Sequence, residues 1–198
     1  MPNWCITEYW LHGPKDELNN LKNKILEWTS KNYMENDFGE NWLGNIVLGA
    51  GIETVETVIN APCRGRFCDD MDIDDDDLWF NTETAWVPMP EMWFKIIEKF
   101  APHCTCHYLA TEPGCAIYEK YDPGNLHFEG VEYIVDEYHE DCAAEIIICD
   151  GWDTVSEEYL EKALRKHYQD NKSSLEDLIE RAEEDDVSIH KIEDITAA

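Results

Sequence analysis

The amino-acid sequence predicts an α+β fold, and three observations carry that prediction. Leu78 to Ala116 reads strand, helix, strand; Asn3 to Lys31 reads strand, then helix; and the two periods alternate along the chain, separated by Pro and Gly.

Asn3 to His12 alternates, with Cys5, Thr7, Tyr9 and Leu11 on one side and Trp4, Ile6 and Trp10 on the other. Both faces are too apolar for an exposed edge, so this strand is expected to be central. Gly13-Pro14 turns it into a helix whose stripe is Leu18, Leu21, Ile25 and Trp28, with Asp16 and Glu17 at the positive end of its dipole, ending near Lys31. Asn32 to Gly51 reads as a structured loop leading into Asn45–Leu48, and Ile52 to Ile59 as a second strand. Pro62 to Phe67 is expected to turn and Asp69 to Asp77 to form an acidic loop. Leu78 to Trp86 then suits a half-buried strand. Val87-Pro88-Met89-Pro90 ends it and starts a helix near Pro90, because Pro costs no hydrogen bond at a first helical position. Trp93, Ile96, Ile97 and Phe100 form one stripe, and the helix stops before Pro102. From Cys104 the period is two again, with Cys104, Cys106, Tyr108 and Ala110 on one face, until Glu112-Pro113-Gly114 turns into a strand over Cys115–Tyr121. Phe128–Tyr138 and Ala143–Cys149 suggest a further hairpin. Ser156 to Tyr168 is expected to be helical. Ser173 with Glu176 makes a capping box for a last helix carrying Leu175, Leu178, Ile179 and Ala182; Glu183 to Asp186 ends it, and the rest is tail.

Thr84-Ala85-Trp86-Val87-Pro88, the helix and alternating strand after it, and Glu112-Pro113-Gly114 resemble the signature of the YubB-like ferredoxin-like family of phage and plasmid proteins. Asn3-Trp4-Cys5 and the strand ending at Gly13 are similar to that family's opening. Thr7 stands where the family has an asparagine, Val87-Pro88-Met89-Pro90 replaces a tighter double proline, and the acidic insert before Leu78 is unlike it. The resemblance covers roughly the first 120 residues. It implies a ferredoxin-like sandwich, an antiparallel sheet with two helices on one face, and carriage on mobile elements; it implies no activity. The expected organisation is a core over residues 1–121 with an acidic insert near 62–77, followed by a hairpin and an acidic helical extension over 122–198.

A chain of 198 residues that is 43% apolar, with eight tryptophans, can bury a sizeable core. No run is apolar and long enough to cross a membrane and no secretory leader is recognisable, so a cytoplasmic location in a bacterial or phage-infected cell is expected. Eight cysteines in that compartment are expected to be reduced and mostly core. The charge is extreme: 15 basic against 44 acidic residues give −29. Such a balance repels nucleic acid and anionic membranes and favours basic partners or divalent cations.

Specific chemistry is harder to place. Asp72, Asp74, Asp76 and Glu83 fall at positions one, three, five and twelve of an EF-hand calcium loop, but the glycine needed at position six is Asp77. Cys63, Cys68, Cys104, Cys106 and His107 offer enough ligands for zinc, though not at knuckle spacing. Cys115, His107 and Glu112 contain the groups of a cysteine nucleophile site, but acidic surroundings raise a thiol pKa where catalysis needs it lowered. No cofactor and no enzyme activity are therefore expected.

The distribution of charge says more. Phe67–Phe94 holds nine acidic residues and Tyr121–Glu161 thirteen, with no Lys or Arg in either stretch, and both stretches carry strand patterns. Carboxylates fixed on a folded surface imitate a polyphosphate and suit a groove lined with Lys and Arg. The expected function is inhibition of a basic, nucleic-acid-binding host protein through Asp72, Asp74, Asp75, Asp76, Glu132, Asp136, Glu137 and Glu140. The alternatives are a module that binds a partner or itself through its last two helices, or a cation-binding protein using the Asp-rich loop.

Overall fold

The computed structural model describes residues 3–31, 39–52, 65–135 and 154–195, which fall into two compact units. The first holds described residues up to 117 together with 121–127; the second holds 118–120 and 128–195.

The first unit runs β1 (Trp4–His12), α1 (Lys15–Thr29), α2 (Leu43–Ala50), β2 (Gly65–Asp74), β3 (Asp77–Ala85), α3 (Pro90–Phe100) and β4 (Thr105–Glu112). Its strands lie in the order β2-β3-β1-β4, with antiparallel pairing throughout. β1 is central, as its two apolar faces required. Along it the odd positions Cys5, Thr7, Tyr9 and Leu11 are fully buried, whereas Trp4, Ile6, Glu8, Trp10 and His12 are exposed or half-exposed. Leu18, Leu21 and Ile25 of α1, Leu43 and Ile46 of α2, and Trp93 and Ile96 of α3 join the odd face of β1 in one core. At its centre Tyr9 stacks on Phe80 at 5.2 Å, and Trp93 lies 4.5 Å from Phe80, each distance between ring centroids.

Two segments differ from the expectation. Leu43–Ala50, within the stretch expected to be a structured loop leading into Asn45–Leu48, is a helix. Gly44 and Gly49 mask it, because glycine lowers helix propensity, yet α2 packs so closely that a Cβ on Gly49 would sit 2.2 Å from Cδ1 of the buried Trp28. The helix stops at Gly51, whose φ of +59° is the left-handed conformation that glycine adopts freely. The expected turn and acidic loop are instead largely β2, which extends to Asp74 and closes a tight hairpin through Asp75-Asp76. Pairing with β3 overrides the low strand propensity of aspartate. The expected strand over Ile52–Ile59 falls almost wholly outside the described residues.

The 3₁₀ turn at Pro113–Cys115 leads to β5 (Ile117–Tyr121). The second unit contains β6 (Tyr133–Val135), β7 (Thr154–Val155), α4 (Glu157–Tyr168), α5 (Leu175–Glu184), β8 (Ile189–Lys191) and β9 (Glu193–Asp194). β6 lies between β7 and β8, antiparallel to both, and Glu119-Lys120 of β5 pairs in parallel with β9. Residues expected to be tail are thus paired strands, with Val187, Ile189 and Ile192 buried. The cap of α5 is Ser174 with Asp177, one residue beyond the expected box; Ser173 is instead held by Asp170. Leu160, Ala163 and Leu164 of α4 meet Leu178 and Ala182 of α5 in an internal core, so the stripes considered for self-association are already covered. The strand expected over Ala143–Cys149 lies outside the described residues. No helix among the described residues is long and apolar enough to cross a membrane.

Replacing Gly49 by Ala tests the packing of α2. On propensity alone Ala gains about 1 kcal/mol in a helix. The contact with Trp28 reverses the sign, and urea unfolding is expected to show a net loss of about 1–3 kcal/mol.

Candidate functional site

Pairing brings chemically active side chains together on the sheet face opposite the helices. His12 lies opposite Asp77 of β3 and Thr105 of β4, and in the next row Trp10 lies opposite Trp79 and His107. Glu8 fixes the two indoles, its Oε1 accepting from Trp10 Nε1 at 2.6 Å and from Trp79 Nε1 at 3.0 Å.

The segment from Asp122 to His127 returns to this face. Asp122 organises it: its fully buried carboxylate accepts from the backbone N–H groups of Leu126 (3.1 Å) and His127 (3.2 Å) and from Nδ1 of His107 (2.7 Å). An ionised carboxylate only accepts, so Nδ1 of His107 carries the proton and its Nε2 accepts from Thr105 Oγ1 at 3.0 Å. A hydroxyl, an imidazole and a carboxylate in series have the connectivity of a nucleophile triad. Here, however, the imidazole side chain is 1% exposed and engaged at both nitrogens, and it serves to hold the returning segment.

His127 completes the cluster. Its ring stacks on Trp10 at 5.0 Å and 17°, stands edge-on to His107 at 4.7 Å, and brings Nε2 to 3.4 Å from Asp77 Oδ1. The same oxygen lies 2.8 Å from His12 Nδ1. Burial, reinforced by the neighbouring His107, holds the His127 imidazole below its ordinary pKa against the pull of Asp77 and Asp122. His12, Asp77 and His127 thus place two nitrogens and one oxygen within 4.8 Å of one another, a donor set suited to a borderline divalent cation.

The acidic hairpin adjoins this cluster. Gly13 N–H donates to the carbonyl of Asp76 at 2.9 Å, fastening the turn between β2 and β3 to the end of β1. Asp72, Asp74, Asp75 and Asp76 are all exposed, and none forms an ion pair with a described residue. Glu132, in the second unit, is exposed and caps α4 by accepting from Glu157 N–H at 2.6 Å. Asp136, Glu137 and Glu140 lie outside the described residues.

The other sequence-derived ligand sets do not assemble. Glu83 pairs with Arg66 at the opposite end of the hairpin from the Asp74–Asp77 pair, six residues or about 20 Å along β3, so it cannot join Asp72, Asp74 and Asp76 around calcium. Cys106 and His107, being adjacent on β4, face opposite sides of the sheet, and Cys68 lies on β2, three strands away; Cys63 is outside the described residues. His107 engages Thr105 and Asp122, while Glu112 turns to Gly114 N–H and Cys115 is exposed with its thiol pKa raised by Glu112. Burial, with Glu17 and Asp16 nearby, pushes the Cys104 thiol up to about 11, and burial alone raises Cys106 further. These thiols are protonated at neutral pH.

No local spacing signals the histidine–aspartate cluster, because His12, Asp77 and His127 are far apart in sequence. The usable clue was register: once Leu11 is set opposite Leu78, His12 must face Asp77. No family model, curated protein or solved structure matches this chain.

Replacing Asp122 by Ala removes the acceptor of His107 and of two backbone N–H groups together. Chemical denaturation is expected to show a loss of about 3 kcal/mol. Asp122→Asn, which preserves shape and one acceptor oxygen, should lose less.

Proposed function

We propose that this chain is a non-enzymatic binding protein, built on a ferredoxin-like core, that presents a rigid acidic hairpin to a basic nucleic-acid-binding protein. The strand order β2-β3-β1-β4, with a helix in each crossover, supports the ferredoxin-like reading; α2 is an addition to that plan. The resemblance of the Thr84–Pro88 and Glu112–Gly114 segments to proteins of phages and plasmids supports a mobile-element origin and a cytoplasmic host target.

The observation that carries the proposal is the state of the hairpin. Asp72, Asp74, Asp75 and Asp76 are exposed and have no ion-pair partner among the described residues; Asp72 and Asp74 sit on the paired strand β2, and Asp75 and Asp76 form the tight turn that closes the hairpin. Asp72 and Asp74 share one side of β2 about 6.7 Å apart along the strand. One strand of duplex DNA carries a charge about every 3.4 Å of axis, so this spacing matches every second phosphate. Pre-ordered carboxylates lose little side-chain freedom on docking, which favours a guanidinium- or ammonium-lined groove.

The test compares the native chain with a variant carrying Asn at positions 72, 74, 75 and 76 in pull-downs from a bacterial host lysate, eluted with increasing salt or with duplex DNA. A basic protein that the native chain captures and DNA releases is expected to bind the variant at least about four-fold more weakly at low salt, each exposed pair contributing about 0.2–1 kcal/mol. Equal capture by the two would refute the role of the hairpin.

A further inference from the structure

We propose that His12 Nδ1, Asp77 Oδ1 and His127 Nε2 form a binding site for one divalent transition-metal ion of the zinc class. Three strands of evidence converge on it.

The first is geometry. Ligands at about 2.0–2.1 Å from a tetrahedral ion lie about 3.3 Å from one another. His127 Nε2 and Asp77 Oδ1 are 3.4 Å apart, and His12 Nδ1 and Asp77 Oδ1, at 2.8 Å, need to open by only about half an ångström. The third separation lies within 4.8 Å.

The second is an unexplained polar atom. The His127 side chain is 9% exposed, yet its Nε2 is buried without a hydrogen-bond partner among the described residues, 3.4 Å from Asp77 Oδ1. A histidine placed only for packing would leave that nitrogen an unmet cost. The His12–Asp77 contact is satisfied as it stands and does not by itself call for an ion; His127 does.

The third is preorganisation. Trp10 backs the His127 ring, Glu8 holds Trp10, and Asp122 ties the backbone N–H of His127, so the ligand on the returning segment is positioned before any ion arrives. β1 and β3 hold the other two in register.

Donor chemistry selects the ion. Two imidazoles and one carboxylate favour zinc-class cations over calcium or magnesium, which require more oxygen ligands. His12 and Asp77 are partly exposed, leaving a fourth position to water or to a ligand from a partner. The exposed carboxylates at Asp74–Asp76 raise the local cation concentration without choosing among cations. A bound ion would cross-link β1, β3 and the 122–127 segment.

The experiment uses the full chain, stripped with chelator and kept reduced, titrated with Zn²⁺ by calorimetry in excess Mg²⁺, with histidine imidazole resonances followed by NMR. One saturable Zn²⁺ per chain is expected, shifting the resonances of His12 and His127 and raising the melting temperature. His12→Ala, at an exposed position that should not disturb folding, and Asp77→Asn are each expected to weaken binding by at least about ten-fold. His127→Ala, with folding checked by circular dichroism, should do the same. The proposal is overturned by failure of Zn²⁺ to saturate at one equivalent, by full displacement of Zn²⁺ with Mg²⁺, or by undiminished binding in His12→Ala, which would place the ion on cysteines or surface carboxylates.

Discussion

Tyr9 lies opposite Phe80 on one side and Tyr108 on the other, and Trp93 closes over Tyr9 and Phe80 from α3. These aromatic contacts set the register of β1, and most of the first unit follows from that register. A slip of one residue would send Tyr9 and Leu11 to solvent and drive Glu8, Trp10 and His12 under the helices. The burial of large aromatic surface makes the slip prohibitive. The interactions that hold the core therefore also decide which polar groups meet on the opposite face.

Among the described residues of the first unit, that opposite face is not simply solvated. Trp10 and Trp79 are tethered by one carboxylate, and the Asp122–His127 segment is drawn onto them by another. In both places a single acidic side chain organises several donors, which is an economical arrangement in a chain so poor in Lys and Arg. Backbone and indole N–H groups supply the positive ends of dipoles that basic side chains supply elsewhere. Lys120 shows the converse in the second unit: its ammonium is buried among the carbonyls of Phe128 and Val131, with Asp194 3.7 Å away, so one of the few cations is spent on internal structure.

Much of the framework was legible because hydrophobic period and proline placement are local signals. β1, α1, β3, α3 and β4 follow directly from the alternation around Tyr9, the stripe from Leu18 to Trp28, the break at Val87-Pro88 and the return to alternation at Cys104. The missed elements are those in which a neighbour outweighs propensity. α2 hides behind Gly44 and Gly49, which are small because Trp42 and Trp28 fill the space beside them. β2 hides behind its aspartates, which are tolerated because the next strand supplies the hydrogen bonds. β8 and β9 are too short to show a period and exist through pairing with β6 and β5. The exposed hairpin carboxylates were visible as a charge run, whereas the His12–Asp77–His127 cluster was not, since it arises from strand register and from the fold-back of a segment 37 to 42 residues beyond β3.

The end of the hairpin brings like charges together. Asp74 and Asp77 are directly paired across the two strands, and like charges in that position oppose the pairing. The two are not equivalent, however: Asp77 has His12 and His127 beside it, while Asp74, with Asp72, Asp75 and Asp76, has no cationic partner among the described residues. Folding thus divides one acidic run into an inner carboxylate with ligand-forming neighbours and an outer set without a cationic partner among the described residues. An ion at the inner position would lessen that repulsion and stiffen the hairpin, and the outer set would remain free to meet a basic surface. The two proposals are therefore compatible, because they draw on different members of the same run.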